Sequence, residues 1–280
     1  MSLKNKKLVT PFLKWVGGKR QIMDSLIAHL PKDIATRQYV EPFVGGGALL
    51  FHLQPKKAIA NDFNAELVNV YRVIKNNLND LIIDLAKHEN TTEYFYKIRN
   101  IDRTQDYKKL SAIERASRII YLNKTCFNGL YRVNNAGEFN VPFGNYKNPN
   151  IINEPILKAV NEYLNKSEVE LLSGDYEIVL DKLGQNTFVY LDPPYHPIST
   201  NLNFTGYVQG GWNKYDQIRL KETCDKLNDK GIKFLQSNSS ADLIKELYKN
   251  YNISIVKANR AINSDGTNRG EVNELLIKNY

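Results

Sequence analysis

The segment Gln38–Asp62 reads QYVEPFVGGGALLFHLQPKKAIAND and contains the pattern from which the fold class follows. Its first apolar run, Gln38–Phe43, leads into three glycines and a run of helical character, Ala48–Leu53. A second short strand is predicted over Lys57–Ala60, and the apolar residues of Ala65–Lys75 recur at the spacing of one helix face. Strand, turn, helix, strand and helix in this order are typical of a parallel sheet with right-handed crossovers. We therefore expect an α/β protein.

The same alternation resumes after Ile151. The predicted helices are Ile156–Leu164, Asp216–Asn228 and Ala241–Tyr248, and the predicted strands are Val169–Leu172, Thr187–Leu191, Ile232–Gln236, Ile253–Lys257 and Val272–Ile277. We therefore expect one α/β domain built from residues 1–75 and 151–280, with residues 76–150 inserted into it.

The insertion, residues 76–150, has a different composition. Its first two thirds are helix-like, and its last part is rich in asparagine, glycine and aromatic residues. The turn Asn134–Gly137 between LYRV and EFNV predicts a β-hairpin. Residues 108–150 contain seven basic and two acidic side chains, so +5 of the formal charge of +8 falls there. Charge concentrated in one segment indicates a nucleic-acid-binding surface.

The composition of the chain also limits the class of protein and its cellular compartment. The chain has 280 residues, of which 42% are hydrophobic and 24% charged, so it can close a core. Only Cys126 and Cys224 are cysteines, which excludes a disulfide framework. No apolar run reaches the roughly 18 residues of a membrane span, and the N-terminus lacks the apolar core of a secretion signal. We expect a cytoplasmic protein with neither a membrane partner nor an obligate protein partner.

The tetrapeptide DPPY, Asp192–Tyr195, follows a predicted buried strand, at the sheet edge where open α/β sheets bind ligands. Two prolines stiffen the turn and remove backbone donors. The Asp192 carboxylate and the Pro193 carbonyl then offer two acceptors to an exocyclic amine, and Tyr195 offers a ring on which a planar base can stack. The alternative is a plain Asp-Pro turn that ends a strand. The trailing tyrosine and the motifs below favour a site.

Two motifs near the first strands suit a small ligand. EPFVGGGALL, Glu41–Leu50, lets a ligand approach its glycines and a helix N-terminus, but it is neither a dinucleotide fingerprint nor a Walker A loop. Asp62 ends the next strand, where a carboxylate can bridge ribose hydroxyls; alternatively it caps the helix that follows. In KWVGGKR, Lys14–Arg20, the cation of Lys19 suits the carboxylate of an amino-acid tail beside Trp15, although an ordinary surface lysine fits equally well.

A third motif, Gly174-Asp175-Tyr176, follows the predicted strand Val169–Leu172. Asp175 suits an adenine amine and Tyr176 its ring, or else Asp175 caps a helix. The aromatic residues Phe204, Tyr207 and Trp212 are read as caps of the core rather than as active-site groups. The stretch Ser237–Ser239 is read as support for the pocket, without a catalytic role.

These motifs, together with NDFN (Asn61–Asn64) and NGLYRVNNAGEFNVPFG (Asn128–Gly144), resemble in order and spacing the Dam-type, alpha-class (D12) DNA adenine-N6 methyltransferases. The resemblance extends from about Pro11 to Tyr280. It implies a Rossmann-like methyltransferase fold dependent on S-adenosylmethionine, with S-adenosylhomocysteine as product and the mainly helical insertion as target-recognition domain. It also implies double-stranded DNA as partner, a target adenine flipped out of the helix, and GATC as the site.

The resemblance also implies roles for individual residues. The catalytic residues are Asp192, Pro193 and Tyr195. The cofactor contacts are Trp15, Lys19, Glu41, Phe43, Gly45, Asp62, Asp175, Tyr176 and Asp192. The DNA contacts are Phe127, Asn128, Leu130, Arg132, Pro142 and Lys147, with Arg132 on a guanine edge. No metal ligand is implied. Asn145 departs from the family, which often has a basic residue there, so a DNA contact is lost or moved to Lys147.

In this interpretation two acceptors localise the lone pair of the adenine N6. The methyl group is transferred directly and in line from the sulfonium of the cofactor. His196 is therefore not assigned a role as general base. One alternative is another exocyclic amine, such as cytosine N4, adenine in RNA or a protein glutamine. Another is a DNA-binding module without activity. The latter predicts a damaged cofactor site, whereas Lys19, Asp62, Asp192 and Tyr195 are all present.

Overall fold

The computed structural model describes residues 8–181, 183–198, 211–259 and 271–280, and the structural statements below concern these ranges. Ten α-helices fall within them: α1 Met23–Ala28, α2 Ala48–Leu53, α3 Ala65–Asn76, α4 Leu78–Leu85, α5 Thr92–Asn100, α6 Ala112–Thr125, α7 Glu154–Lys166, α8 Tyr176–Leu180, α9 Lys214–Asp229 and α10 Asp242–Leu247. None of these helices is both long enough and apolar enough to cross a bilayer.

Seven strands form one sheet in the order β3-β2-β1-β4-β5-β7-β6. They are β1 Gln38–Glu41, β2 Lys57–Asp62, β3 Glu168–Ser173, β4 Thr187–Leu191, β5 Lys233–Ser239, β6 Asn252–Asn259 and β7 Glu271–Lys278. The first five run parallel, and β7 is antiparallel to both β5 and β6. The α/β class predicted from the sequence is confirmed, and the order is that expected of an S-adenosylmethionine-dependent methyltransferase fold.

The strand order fixes where a ligand can bind. From β1 the chain moves outward to β2 and β3, and then returns to β4 on the other side of β1. The connections on the two sides of this reversal lead away from each other, which opens a crevice at the carboxyl ends of β1 and β4. Both DPPY and the glycine-rich segment follow these two strands directly.

The strands beside the crevice are buried on both faces, so they are rigid supports. Tyr39 and Tyr190 belong to one hydrophobic cluster, whereas the neighbouring Val40, Val189 and Leu191 belong to a second cluster on the opposite face. All five residues of β4 are buried. This explains why β4 reads as a continuous apolar run rather than as an alternating one.

Helices α4, α5 and α6 and the segment that follows them add no strand to the sheet within the described ranges. Part of this region has a small hydrophobic cluster of its own, formed by Phe95, Ile98, Tyr121, Leu122, Cys126, Phe139 and Val141. Helix α6 begins with a capping box between Ser111 and Glu114 and packs against α3, α4 and α5. The helical character expected for the first two thirds of this region is therefore present.

The predicted hairpin is present but short. The backbone N–H of Asn134 donates to the Glu138 carbonyl at 2.9 Å, and Val133 and Phe139 form an antiparallel bridge. The side-chain oxygen of Asn134 accepts from the N–H groups of Ala136 and Glu138, both at 3.0 Å. Because this side chain satisfies turn donors itself, the turn is held without long paired arms.

Candidate active site

The carboxylate of Asp192 lies at the end of β4, in contact with two donors. Its Oδ1 is 2.9 Å from the Lys19 Nζ and accepts a hydrogen bond from the Ser237 Oγ at 2.9 Å. The Lys19 side chain is 6% exposed and that of Asp192 is 20% exposed, so the pair is largely shielded but reachable. The Lys19 Nζ also lies 4.8 Å from the centre of the Tyr195 ring. The fold thus brings Lys19 next to Asp192 and Tyr195, two predicted site residues that are far from it in sequence.

The carbonyl groups of the DPPY turn have different surroundings. The buried side chain of Gln217 donates to the Pro194 carbonyl at 2.9 Å and accepts from the Asn238 amide at 3.1 Å. No residue in the described part of the chain donates a hydrogen bond to the Pro193 carbonyl or to the Oδ2 of Asp192. These two oxygens are therefore available as the pair of acceptors that the sequence predicted. Asn238 lies in the stretch that was expected to support the pocket, whereas Gln217 was not predicted, because it approaches the turn from α9.

The remainder of the DPPY segment is also fixed. The Tyr195 hydroxyl donates to the Glu274 Oε2 on β7 at 2.9 Å, which sets the position of the ring edge. The Ser239 hydroxyl donates to the His196 carbonyl at 2.6 Å. The support expected from Ser237–Ser239 is therefore seen as hydrogen bonds, whereas sequence reasoning missed Glu274, which lies 79 residues away from its partner.

Burial sets the electrostatics of this pocket. Burial raises the pKa of Asp192, and the ammonium group of Lys19 and the Ser237 hydroxyl act in the opposite direction. Burial also raises the pKa of Glu41 to about 8, and the Tyr39 hydroxyl, which donates to its Oε2 at 2.7 Å, opposes that rise. At pH 7 Glu41 is therefore mostly neutral, and Asp192 is the carboxyl group that is paired with Lys19.

The glycine-rich turn after β1 is tied to Asp62. One oxygen of Asp62 accepts from the Gly45 N–H and the other from the Asn64 N–H, both at 2.9 Å. Gly45 has φ 47°, and a Cβ there would lie 2.9 Å from the Trp15 ring, so a side chain does not fit. The cap of α3 is Asn64, whose side chain accepts from the N–H groups of the first turn. The alternative reading of Asp62 as the helix cap is therefore wrong.

Three aromatic rings meet beside the carboxyl end of β1. The centre of the Phe43 ring lies 5.1 Å from that of Tyr176 and 5.6 Å from that of Trp212. The Tyr176 hydroxyl and the Trp212 Nε1 are buried without a hydrogen-bond partner in the described chain. Trp212, expected only to cap the core, thus joins two predicted cofactor contacts. The other two aromatic candidates, Phe204 and Tyr207, lie outside the described residues.

Asp175 has several partners within the chain. Its side chain caps α8 by accepting from the Glu177 N–H at 2.9 Å, as the alternative reading predicted. Arg219 on α9 also donates to both of its oxygens, at 3.0 and 2.8 Å, and to the Glu177 carboxylate at 2.7 Å. The Arg219 guanidinium lies 5.0 Å from the centre of the Tyr176 ring. An adenine amine at Asp175 would share an oxygen with Arg219, a residue that no local sequence signal indicated.

A second group of predicted residues follows α6 in the chain, and most of them are exposed. Phe127 is 52% exposed, and its N–H donates to the Pro142 carbonyl at 2.9 Å. Asn128 is exposed, with a φ of 56°, in the left-handed region that asparagine tolerates. Leu130 is half-buried, and Lys147 is exposed. The fold thus brings Phe127 and Pro142 together in one loop.

Arg132 is exposed on the first arm of the hairpin. Its Nε donates to the Asn140 Oδ1 at 2.7 Å, which fixes the plane of the guanidinium. The Nη2 has only a 3.5 Å contact with the Asn140 carbonyl, so the outer edge of the guanidinium is directed to solvent. A guanidinium held in this way can make the bidentate contact that reads a guanine.

The segment around Trp15 joins this surface to the pocket. The Trp15 ring stacks on that of Tyr131, with centres 4.9 Å apart, and packs against Gly45. The buried Asn123 amide donates to the carbonyls of Lys14 and Gly129 at 2.8 and 2.9 Å. The structure thus places Trp15 between the loop after α6, residues 126–131, and the glycine-rich turn.

Comparison with known proteins agrees with this geometry. The family model described as D12 class N6 adenine-specific DNA methyltransferase matches residues 15–262. The chain is 43% identical over 279 residues to the Type II methyltransferase M1.LlaDCHI of Lactococcus lactis subsp. cremoris, covering 99% of this chain and 98% of that protein. It is 43% identical over 290 residues to the Type II methyltransferase M.MjaIII of Methanocaldococcus jannaschii, with 97% and 99% covered.

The DNA adenine methylase of Escherichia coli strain K12 is 33% identical over 270 residues, with 95% of this chain and 93% of that protein covered. These matches extend over nearly the full length of each protein. The chain therefore belongs to the D12 class of N6 adenine-specific DNA methyltransferases, a family that implies S-adenosylmethionine as methyl donor and DNA as substrate.

Proposed function

We propose that this adenine-specific DNA methyltransferase acts on an adenine flipped out of duplex DNA, within GATC, and that Asp192, Pro193 and Tyr195 hold that base. The observation that carries the proposal is the pair of acceptors at the DPPY turn. The Asp192 Oδ2 and the Pro193 carbonyl both lack a donor in the described chain, and the Tyr195 ring is fixed beside them.

The two acceptors suit the chemistry of an adenine amine. The lone pair of N6 is delocalised into the ring, which makes this nitrogen a weak nucleophile. Acceptors on its two hydrogens favour a pyramidal nitrogen and stabilise the positive charge that develops on it during attack. The Asp192 carboxylate supplies the charged acceptor, and the Pro193 carbonyl supplies the neutral one.

Base flipping follows from the depth of this site. The Asp192 side chain is only 20% exposed, between β4 and the buried Lys19. An adenine inside a base pair cannot reach a carboxylate placed in this way, because its amine faces the opposite strand. Flipping costs a few kcal/mol and is the usual solution for enzymes that modify a base.

The residues beside the glycine-rich turn fit S-adenosylmethionine. The buried Tyr176 hydroxyl and the Trp212 Nε1 lack partners and lie against Phe43, so they suit a flat heterocycle with polar edges. The absence of a side chain at Gly45 lets the Trp15 ring pack against the turn, and Asp62 is held at the position expected to bind a ribose. When bound, the cofactor supplies an electrophilic methyl group.

The other predicted contacts complete this proposed cofactor site. Trp15 and Lys19 would bind the methionyl end of S-adenosylmethionine, and the neutral Glu41 would line the pocket beside them. Asp175 would bind the adenine end together with Arg219. We infer these roles from the positions of the side chains at one edge of the sheet, at the ends of β1, β2 and β4.

We propose that residues 76–150 form the target-recognition domain within a catalytic domain of residues 1–75 and 151–280. The hydrophobic cluster between α5, α6 and the hairpin supports a separate unit in that part, whereas α4 and one face of α6 pack into the main core. In this domain Arg132 would read a guanine, Phe127, Asn128 and Leu130 would contact the opened stack, and Pro142 would support them. Lys147 would contact a phosphate in place of the basic residue that Asn145 replaces.

The basic side chains of Lys14, Arg20 and Lys124 lie beside the loop after α6, residues 126–131, which we call the recognition loop, and this arrangement also suits DNA. Burial and the nearby charges of Lys14 and Arg20 lower the pKa of Lys124. None of the three forms an ion pair with an acidic residue in the described ranges. Three cations brought together without an acid create a positive potential that a phosphate group would neutralise.

The similarity to the relatives favours a methyltransferase that is paired with a restriction enzyme over one that acts without such a partner. Identity to the two proteins named Type II methyltransferases is 43%, against 33% for the DNA adenine methylase of E. coli K12. We propose that the chain modifies DNA as part of a restriction–modification system.

A panel of duplex oligonucleotides tests the recognition site. The purified protein is incubated with S-adenosylmethionine and duplexes that contain GATC or one of its single-base variants, and N6-methyladenine is mapped. We expect methylation of GATC alone. Methylation of a variant with an equal rate would refute GATC as the site. Replacement of the target by 2-aminopurine tests flipping, since its fluorescence rises when it leaves the stack and should stay constant if the base does not flip.

A further inference from the structure

The carboxyl end of β5 contains buried polar side chains that the chemistry above does not use. Ser237 and Asn238 are 0% exposed, and Ser239 is 2% exposed. Buried polar groups are costly unless they are hydrogen-bonded, so each of them needs a partner. Asn238 and Ser239 support the DPPY backbone through Gln217 and the His196 carbonyl, whereas Ser237 contacts Asp192 itself.

The hydroxyl of Ser237 lies between two other polar groups. It is 2.9 Å from the Asp192 Oδ1 and 3.0 Å from the Tyr190 hydroxyl. A serine hydroxyl has one proton, and an ionised carboxylate only accepts. Ser237 must therefore donate to Asp192, and Tyr190 must donate to Ser237. The hydrogen bonds run in one direction, from the core tyrosine to the carboxylate.

This arrangement makes the two oxygens of Asp192 unequal. The Oδ1 accepts from both Lys19 and Ser237, and the Oδ2 has no donor in the described chain. The carboxylate is thus anchored on one oxygen and open on the other. We propose that Ser237 is a positioning residue, which fixes the plane of the Asp192 carboxylate so that the Oδ2 faces the substrate amine.

The proposal rests on the proposed role of Asp192 and adds Ser237 to it. Lys19 is buried and its ammonium group also donates to the Gly17 carbonyl, so it fixes the position of the Oδ1; as a point charge, however, it has no preferred plane for the carboxylate. The Ser237 hydroxyl, by contrast, is attached to a short side chain on a central strand and is itself oriented by Tyr190. A charge-assisted bond from such a donor is short and directional.

The charged and titratable groups around Asp192 come from several elements. Lys19 lies in the turn before α1, Glu41 ends β1, Tyr190 belongs to β4, Tyr195 follows it, and Glu274 lies on β7. Burial raises the pKa of Asp192, and the Ser237 hydrogen bond acts against that rise because it favours the charged form. Loss of this bond leaves every other group in place and moves the pKa of Asp192 upward.

The test compares Ser237→Ala with Cys224→Ala. Cys224 is 0% exposed on α9, and its thiol contacts the Gln236 side chain of β5 at 3.5 Å. Its loss removes a similar small buried group next to the same strand without touching Asp192. Thermal melting of both variants controls for folding, and calorimetry with S-adenosylhomocysteine controls for the cofactor site.

Single-turnover methylation of a duplex substrate is measured for each folded variant across a range of pH. We expect Ser237→Ala to lower the rate about tenfold, equivalent to about 1.4 kcal/mol, and to move the acid limb of the pH profile to higher pH. Binding of S-adenosylhomocysteine should not change. Cys224→Ala should keep the wild-type profile, and Ser237→Thr, which retains the hydroxyl, should recover most of the rate.

Two results would overturn the proposal: an unchanged rate and acid limb in Ser237→Ala, or equal changes in Cys224→Ala. If Ser237→Ala does not fold, Tyr190→Phe removes the donor to Ser237 and should shift the acid limb in the same direction by less, and an unshifted limb would then contradict the proposal. The wild-type protein separates this inference from the proposed function. If it methylates no adenine, the proposed function fails first.

Discussion

The side chains of Lys19, Glu41 and Asp192 lie at the ends of β1 and β4, where burial raises the pKa of both carboxyl groups. The ammonium group of Lys19, 2.9 Å from the Asp192 Oδ1, opposes that rise at Asp192. The pKa of Glu41 is about 8, so Glu41 is mostly neutral at pH 7. Asp192 is therefore the carboxyl group of this pocket that is paired with a cation.

The raised pKa of Glu41 predicts a pH dependence of stability. Between its ordinary pKa of 4.5 and the raised value of about 8, the folded protein holds a proton that the unfolded chain releases. The contribution of Glu41 to the free energy of unfolding therefore falls as the pH rises through this window. Glu41→Gln is neutral at every pH, so we expect its stability relative to wild type to increase from about pH 5 to about pH 8.

Denaturant titration of both proteins over this range measures the difference in the free energy of unfolding. A difference that stays constant with pH would contradict a buried, neutral Glu41.

Arg132 predicts a change in specificity rather than a general loss. Because its plane is fixed by Asn140, Arg132→Ala should cost about 1–3 kcal/mol and relax selection at one guanine of the site. Lys147→Ala is the matched control, because loss of a phosphate contact lowers activity on all sequences alike. Rates on duplexes with single-base changes distinguish the two. A uniform loss in Arg132→Ala would make Arg132 a phosphate contact.

Helix α6 connects the recognition loop with the segment before α1. Asn123, 1% exposed near the end of α6, bonds to the backbone of Lys14 and to the Gly129 carbonyl. Its removal would leave three backbone groups without partners and release the loop from Lys14.

We expect Asn123→Ala to lower the free energy of unfolding by a few kcal/mol and to weaken DNA binding more than cofactor binding. Asn161→Ala is the matched control. Asn161 on α7 donates to the carbonyls of Ile74 and Lys75 at 2.7 and 2.9 Å, away from the recognition loop. Asn161→Ala should lower the free energy of unfolding but have little effect on DNA affinity, measured by fluorescence anisotropy. Equal losses of DNA affinity in both variants would contradict the proposed link.

Most elements were predictable because their signals are local. Strand Thr187–Leu191 and helix Ala48–Leu53 have the predicted bounds, since each is a continuous apolar run with a turn signal beside it. The short helix Met23–Ala28 was not predicted, because no side-chain cap marks its start. Helix Tyr176–Leu180 was anticipated only through the alternative reading of Asp175 as a helix cap. The antiparallel direction of β7 was also missed, because it depends on the connection rather than on the strand itself.

The candidate site was predictable in part for the same reason. Motifs that end a strand, such as DPPY, can be recognised from a few adjacent residues of the sequence. Partners that arrive from other elements do not: Gln217, Arg219 and Glu274 contact the site across 23, 44 and 79 residues of sequence. Their residue types are common on surfaces, so only the fold distinguishes them from solvated side chains.

The charge of the whole molecule predicts how DNA binding responds to salt. The formal charge is +8, and the basic cluster of Lys14, Arg20 and Lys124 has no acidic partner within the described ranges. Each phosphate contact contributes about 0.9 to the slope of log K against log salt concentration on duplex DNA. We expect Lys14→Ala and Arg20→Ala each to reduce that slope by about 1.

Lys158→Ala, which removes an exposed lysine paired with Glu154 on α7, should leave the slope unchanged. Anisotropy titrations at several salt concentrations measure these slopes. A slope that is unchanged in Lys14→Ala and Arg20→Ala would show that the cluster does not contact phosphates.

The most direct measurement compares wild type with Asp192→Ala for N6-methyladenine formed in duplex DNA from S-adenosylmethionine, by mass spectrometry of the digested nucleosides. In the proposed function Asp192 supplies the charged acceptor for the amine, and its removal leaves the contact between the glycine-rich turn and Asp62 untouched. We expect methylation by wild type, none detectable for Asp192→Ala, and cofactor affinity in calorimetry that changes far less. Methylation by the variant at a rate near that of wild type would contradict the central role of this carboxylate.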